Sequence, residues 1–238
     1  MLMVPDIQRL EAKAIQLRRT ALQTAIWGGK GHIPPAFSWA DVATVLFYGG
    51  ILDFKQDEPR WTNRDRFILS KGHACLTLYA ALSDLGFFSP KLLKEFAGEG
   101  SLLAGHPDIE IPGIEVCSGS LGHGLGVGAG MALSAKLACK NWKTYVVLGD
   151  GECHEGSVWE AAMFAAKQSL DQICVIVDYN KWQATGRSND VLSLSPLREK
   201  WEAFGWDAHE IDGHDIGALL DIMGKVPNGS GKPLAIIA

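Results

Sequence analysis

Residues 144–180 read TYVVLGDGECHEGSVWEAAMFAAKQSLDQICVIVDYN, and the order of residue types within them decides the fold. Thr144 to Leu148 is a compact run rich in β-branched residues that stops at Gly149. Ser157 to Gln168 carries a helical pattern, and Ile173 to Asp178 is a second strand-like run. A strand, a crossover helix and a strand in this order make a βαβ unit, which requires parallel strands. Working outward, Arg66 to Leu69, Asp207 to Ile211 and Leu234 to Ile237 read as further strands. Ile7, Leu10, Ala14, Leu17 and Ala21 recur at three and four residues, the stripe of an amphipathic helix that Gly28, Gly29 and Gly31 end.

After His32 a Gly/Pro loop is expected through Pro34-Pro35, and Ser38 to Asp41 reads as a capping box opening a helix to about Phe47. Helix is also expected from about Ala74 to Leu85, after Ser89-Pro90, and from Gly122 to about Lys140, with loop between Gly100 and Gly119. The fold class is therefore α/β, a parallel sheet with helices on both faces. With no internal repeat or linker, residues 1–238 read as a single domain.

Composition narrows the functions. The net charge is -5 and there is no Lys/Arg run interleaved with aromatics, which argues against nucleic acid as a partner. No stretch of about 18 apolar residues is present, so no membrane span is expected. Met1 to Glu11 carries charges early and has no apolar region of the signal-peptide kind. The five cysteines are widely spaced without a CxxC pair, which points away from a disulfide framework or zinc site and towards a reducing cytoplasm.

Ligands of open α/β sheets sit beyond the carboxyl ends of the strands. Here one strand runs into Gly149-Asp150-Gly151 and the next into Asp178-Tyr179-Asn180. Adjacent parallel strands would bring Asp150 and Asn180 to one edge. Both offer hard oxygens, and glycines let the backbone approach a bulky anion, the combination magnesium uses with phosphate. Asp-Gly and Tyr-Asn also end strands simply because they favour turns, and the Gly-Asp-Gly triplet alone leaves the two readings level. Thirty positions separate Asp150 from Asn180, with one helix and one strand between them.

In that spacing the residues resemble the diphosphate-binding motif of thiamine-diphosphate enzymes, which opens on Gly-Asp-Gly and closes on Asn. Glu152 to Ala161 resembles the transketolase branch. So do Leu69-Ser70-Lys71-Gly72-His73-Ala74, Gly105-His106-Pro107, Pro112 to Val116, Gly119-Ser120-Leu121-Gly122-His123-Gly124 and the early Gly-His turn at Gly31-His32. The resemblance implies a thiamine-diphosphate-binding fold in which Asp150, Asn180 and the Trp182 carbonyl hold Mg2+. It implies that Gly149 and Gly151 lie against the diphosphate, with the Gly151 N–H donating to it. His73 would contact the diphosphate, Gly119 and Leu121 would pack on the cofactor ring, and Glu155 would lie at a dimer interface linking two cofactor sites. His32, His73 and His106 would be hydrogen-bond or proton-transfer partners of the substrate.

Glu160, three residues after Ser157, also reads as the far end of a capping box. His123 and His154 read as structural, and His209 and His214 as surface loop residues.

The implied activity is transfer of a two-carbon ketol unit from a ketose to an aldose. The stiff Pro34-Pro35 segment departs from the family's small, glycine-rich continuation and leaves the sugar or sugar-phosphate substrate open. The family's pyrimidine-binding module is not found in this sequence. A second subunit carrying that module is therefore expected, with self-association to an α2β2 assembly in the cytoplasm. Two other readings remain: a different thiamine-diphosphate enzyme, of the deoxyxylulose-phosphate synthase or 2-oxoacid-decarboxylating kind, and a non-catalytic cofactor-binding subunit.

Overall fold

The structure, a computed structural model, describes residues 6–238; residues 1–5, part of the stretch expected not to be a signal peptide, lie outside the described residues. In chain order the elements are α1 (Ile7–Gly28), α2 (Ile33–Ser38), α3 (Ala40–Tyr48), β1 (Arg66–Leu69), α4 (Cys75–Asp84), α5 (Gly124–Leu137), β2 (Thr144–Gly149), α6 (Gly156–Lys167) and β3 (Ile173–Asp178). There follow β4 (Trp182–Gln183), β5 (Gly186–Arg187), α7 (Ser188–Val191), α8 (Leu197–Ala203), β6 (Asp207–Glu210), α9 (Ile216–Met223) and β7 (Leu234–Ile237). Short 3-10 turns cover Gly72–Ala74, Pro90–Glu95 and Gly151–His154.

Contacts group the residues into two compact units. One comprises Asp65–Lys71, Ser118–Asp212 and Lys225–Ala238, and it contains the sheet. Its strand order is β1-β2-β3-β7-β6, and every neighbouring pair is parallel. β2 and β3 are buried at every position, which is why they read as continuous apolar runs rather than alternating ones. α5 lies against β1, β2 and β3, with α6 packed beside it. Gly128 permits that approach: a Cβ there would stand 2.6 Å from Val146 Cγ2. Under β6 and α8 the fully buried Trp201 and Trp206 meet edge to face, and the Trp206 indole N–H donates to the Ala162 carbonyl at 2.9 Å.

The other unit takes in the residues through Arg64, then Gly72–Cys117 and Gly213–Gly224, and it is helical. α1 starts at Asp6, whose carboxylate accepts from the Arg9 N–H at 3.2 Å, and ends on left-handed Gly29. The expected stripe of Leu10, Ala14, Leu17 and Ala21 is buried, and α1 packs on α3 and α4. Among the described residues no helix is long and apolar enough to cross a membrane, and all five cysteines are free.

Several local expectations are corrected. Ile33–Ser38 is a helix, not a loop, because proline is well tolerated in a first turn, where its missing N–H has no partner to lose. Ser38 therefore ends α2, its hydroxyl donating to the Pro35 carbonyl, and Trp39 stands at the start of α3 without a side-chain cap. Ser157 is likewise inside α6, which begins one residue earlier, so the Ser157–Glu160 capping box does not form. α5 ends at Leu137, short of Lys140, and the segment after Ser89-Pro90 is a 3-10 turn. His209 lies on β6 rather than in a loop. His214, by contrast, is an exposed loop residue as expected, and its Nδ1 meets the buried carboxylate of Asp41 at 2.7 Å, which also pairs with Arg18.

Candidate functional site

The centre of the site is the carboxyl edge of β2 and β3, where the register sets Gly149 opposite Asp178. Asp150 follows directly, its N–H donating to the Asp178 carbonyl at 3.2 Å. The loop after β3 returns to it: the Lys181 N–H donates to Asp150 Oδ2 at 3.1 Å, which brings the Asn180–Trp182 turn to the same carboxylate. Lys181 holds a left-handed backbone at φ 67, costly for a residue with a Cβ and a mark of a locally imposed shape. Asn180 Oδ1 accepts from the Trp182 N–H at 2.9 Å, an Asx turn that aims its amide. The Trp182 ring is exposed and stacks with the Arg187 guanidinium across the β4–β5 ribbon.

Asp150 is 1% exposed. Its Oδ2 accepts from the Lys181 N–H and from the Ser188 hydroxyl at 2.6 Å, while among the described residues Oδ1 accepts only from the Gly151 N–H at 2.9 Å. Burial pushes its pKa above the usual carboxylate range, with the Ser188, Gly151 and Lys181 bonds pulling the other way and the nearby Asp178 charge adding to the rise. Carboxylate and amide oxygens each offer about two lone pairs. One therefore remains on Asp150 Oδ1 and one on Asn180 Oδ1. The Asp150 carboxylate and the Asn180 amide oxygen are hard oxygens on loops that meet at one strand edge, and a buried anion gains from a cation. These residues fit a magnesium ion that takes its other ligands from phosphate and water. Among the described residues no group of three or more His, Cys, Asp or Glu side chains is placed to hold a metal ion by itself. The Gly151 N–H, expected to serve a diphosphate, is engaged by Asp150 and would have to be shared.

A second buried carboxylate was not singled out in the sequence. Glu152 is 2% exposed, and its oxygens accept from the Ser70 hydroxyl, from the Gly122 N–H at 2.9 Å and from the Gly149 N–H at 3.1 Å. Burial raises its pKa against those three bonds and the Lys71 charge. Lys71 itself forms a buried ion pair with Asp178. Ser188 was missed as well. Its hydroxyl reaches Asp150 from a segment that carries no motif.

Gly119 and Leu121 sit half-buried in the turn before α5, with Gly119 at φ 130. Glu155 is exposed at the start of α6, its backbone extended and its side chain making no cap. His123 is held within its own turn by Ser120 and the Leu121 carbonyl, and His154 bonds to the Leu192 carbonyl at 2.9 Å, as expected of structural histidines. The three remaining candidate histidines belong to the helical unit. His32 and His73 meet edge to face with ring centroids 5.6 Å apart, His32 exposed before α2 and His73 half-buried in the Gly72–Ala74 turn. His106 is exposed, and its carbonyl accepts from the Tyr79 hydroxyl at 2.9 Å.

Comparison with known proteins gives a consistent result. The family model for the thiamine diphosphate binding domain of transketolase matches residues 10–238. An apulose-4-phosphate transketolase subunit of Phocaeicola vulgatus is 39% identical over 98% of this chain and 83% of its own length. The 6-deoxy-6-sulfo-D-fructose transketolase subunit SqwG of a Clostridium species is 36% identical over 96% of this chain and 83% of its own. Among solved structures, transketolase from Campylobacter jejuni superposes with a TM-score of 0.92 at 31% identity, covering 98% of this chain and 38% of that one.

Proposed function

The chain belongs to the transketolase family, and on that premise we propose that it is the magnesium- and diphosphate-binding subunit of a two-chain enzyme moving a two-carbon ketol unit from a ketose to an aldose. Thiamine diphosphate is the cofactor of its domain family, and when bound it supplies the carbanion stabilisation that such a transfer requires. The observation that carries the reading is the β2–β3 edge, where one oxygen of Asp150 and one of Asn180 keep acceptor capacity within a single pair of loops.

In this reading residues 1–238 are one diphosphate-binding domain. Asp150, Asn180 and the Trp182 carbonyl hold Mg2+, and Gly149 and Gly151 let the diphosphate approach the strand end. Gly119 and Leu121 support the cofactor ring, and Glu155 links paired cofactor sites. His73 steadies the diphosphate, and His32, His73 and His106 hydrogen-bond or exchange protons with the sugar's hydroxyls and carbonyl.

Completion by a partner carrying the pyrimidine-binding module, in an α2β2 assembly, is supported by two things. The Phocaeicola and Clostridium relatives are themselves called subunits. On the neighbouring helices α5 and α6, Val127, Leu137, Met163 and Phe164 are exposed apolar side chains that a partner could cover. Free cysteines are in keeping with a cytoplasmic location. Sugars or sugar phosphates are the substrate class; α2 gives the segment after His32 a rigid, proline-started shape. The test is to mix the chain with the pyrimidine-binding subunit, Mg2+ and thiamine diphosphate and to assay two-carbon transfer. Transfer supports the reading. Decarboxylation of a 2-oxoacid without transfer, or cofactor binding without turnover, would replace it with one of the two alternatives.

A further inference from the structure

Glu152 joins three stretches that are far apart in sequence. Ser70 follows β1, Gly149 ends β2, and Gly122 lies in the turn before α5; all three donate to the one carboxylate. The Ser70 hydroxyl also accepts from the Gly124 N–H at 3.1 Å, which extends the tie to the first residue of α5. The Gly122 peptide is gripped from its other side too, since the Ser157 hydroxyl donates to the Gly122 carbonyl at 2.9 Å. The fit is close. Gly122 sits at φ +84, and a Cβ there would come within 2.6 Å of both Glu155 Cβ and Ser157 Oγ. At Gly124 a Cβ would collide with the Ser70 hydroxyl.

A buried carboxylate held by two main-chain N–H groups and a hydroxyl, with the nearby Lys71 ammonium already paired to Asp178, is a demanding way to stabilise a fold. Its geometric effect is specific. It fixes the turn that carries Gly119 and Leu121 to the strand end that carries Asp150.

We propose that Glu152 is a positioning residue for the cofactor, setting the spacing between the ring-supporting turn at Gly119–Gly122 and the metal edge at Asp150. This rests on the cofactor site described above. A ligand that uses only the metal edge then needs no such spacing, whereas a ligand that spans edge and turn does. Groups that orient a metal's ligands change affinity by about 10- to 100-fold, and the lower end of that range is expected of a side chain that orients the cofactor's contacts beside the metal edge.

The test is calorimetric titration of the full chain with thiamine diphosphate and, separately, with inorganic pyrophosphate, both in Mg2+. In Glu152→Gln an amide N–H2 faces one of the three donors. Thiamine diphosphate affinity is expected to fall about 10-fold relative to pyrophosphate. Ser70→Ala, which removes one of the three donors to Glu152, shifts the same ratio less and in the same direction, and it decides the matter if Glu152→Gln does not fold. A ratio unchanged in both variants, or both ligands weakened by one factor, overturns the role of Glu152. A wild-type chain that binds neither ligand, alone or together with the pyrimidine-binding subunit, overturns the site reading, and this proposal with it.

Discussion

Asp150 and Glu152 stand two residues apart at the end of β2, are both buried, and both have raised pKa values with burial as the leading cause. Their surroundings differ. Glu152 receives hydrogen bonds from segments around Ser70, Gly122 and Gly149 and ties them together. Asp150 receives its bonds from residues that follow it, Gly151, Lys181 and Ser188. Each carboxylate takes two donors on one oxygen and one on the other, so their position tells them apart. The donors to Glu152 all precede it and are tied to one another through it, whereas the turn that reaches Asp150 brings the Asn180 amide oxygen, a second hard oxygen, to the same strand end. The same chemical group thus does two jobs within one turn.

The comparison breaks first at Glu152. Glu152→Ala leaves the Ser70 hydroxyl and two main-chain N–H groups without an acceptor, at about 1–3 kcal/mol for each buried group left unpaired. A loss of on the order of 4 kcal/mol is expected, read as a fall in Tm of roughly 10 °C; a fall of less than about 2 °C would show that water replaces the carboxylate.

Gly122→Ala probes the same tie through the backbone. Its φ of +84 and the 2.6 Å approach to Glu155 and Ser157 predict a loss of about 2 kcal/mol by urea unfolding. A neutral result would mean that the turn can move away from the Glu152 segment.

Asp41 is another buried carboxylate, one paired with Arg18 and His214. Burial alone would raise its pKa, but the bonds and charges of Arg18 and His214 outweigh it and hold the pKa below the ordinary aspartate value. A lowered folded-state pKa contributes stability that is present above the unfolded value, about 3.9, and is lost as pH falls through the folded one. Asp41→Asn should therefore lower stability at pH 7 and flatten its decline below about pH 4. An unchanged acid limb would remove Asp41 from that account.

The smallest effect expected is a labelling pattern. Cys117 and Cys139 are exposed and should react with iodoacetamide near neutral pH. Cys75, whose thiol burial pushes up to about 12, and the buried Cys153 and Cys174 should not react until the chain unfolds. Reaction at Cys75 in the folded chain would show the core around α4 to be open.

The edge at Asp150 was legible because it is local. Two β-branched runs, each ending in a turn-forming polar residue, specify adjacent parallel strands, and Asp150 and Asn180 then share an edge. The tie at Glu152 was not legible, because Ser70 lies 82 positions away and Gly122 lies 30 away, and no periodicity announces such a bond. Ser188 stayed hidden for the same reason, 38 positions beyond Asp150. The errors at Ser38 and Ser157 have a different origin. A serine followed by an acid three residues on is a cap only if the helix starts there, and Pro34-Pro35 and Glu155-Gly156 start their helices earlier. Two prolines read as a loop for want of any signal that they begin a turn of helix rather than prevent one.

Asp150 as a magnesium ligand is the central claim, and the most direct measurement is thiamine diphosphate affinity by calorimetry for wild type and Asp150→Ala, each with Mg2+ and with EDTA. The account predicts Mg2+-dependent binding in wild type and a loss of at least about 100-fold in Asp150→Ala, equivalent to about 2.7 kcal/mol, with no remaining response to Mg2+. Affinity in Asp150→Ala that is unchanged and still dependent on Mg2+ would contradict it.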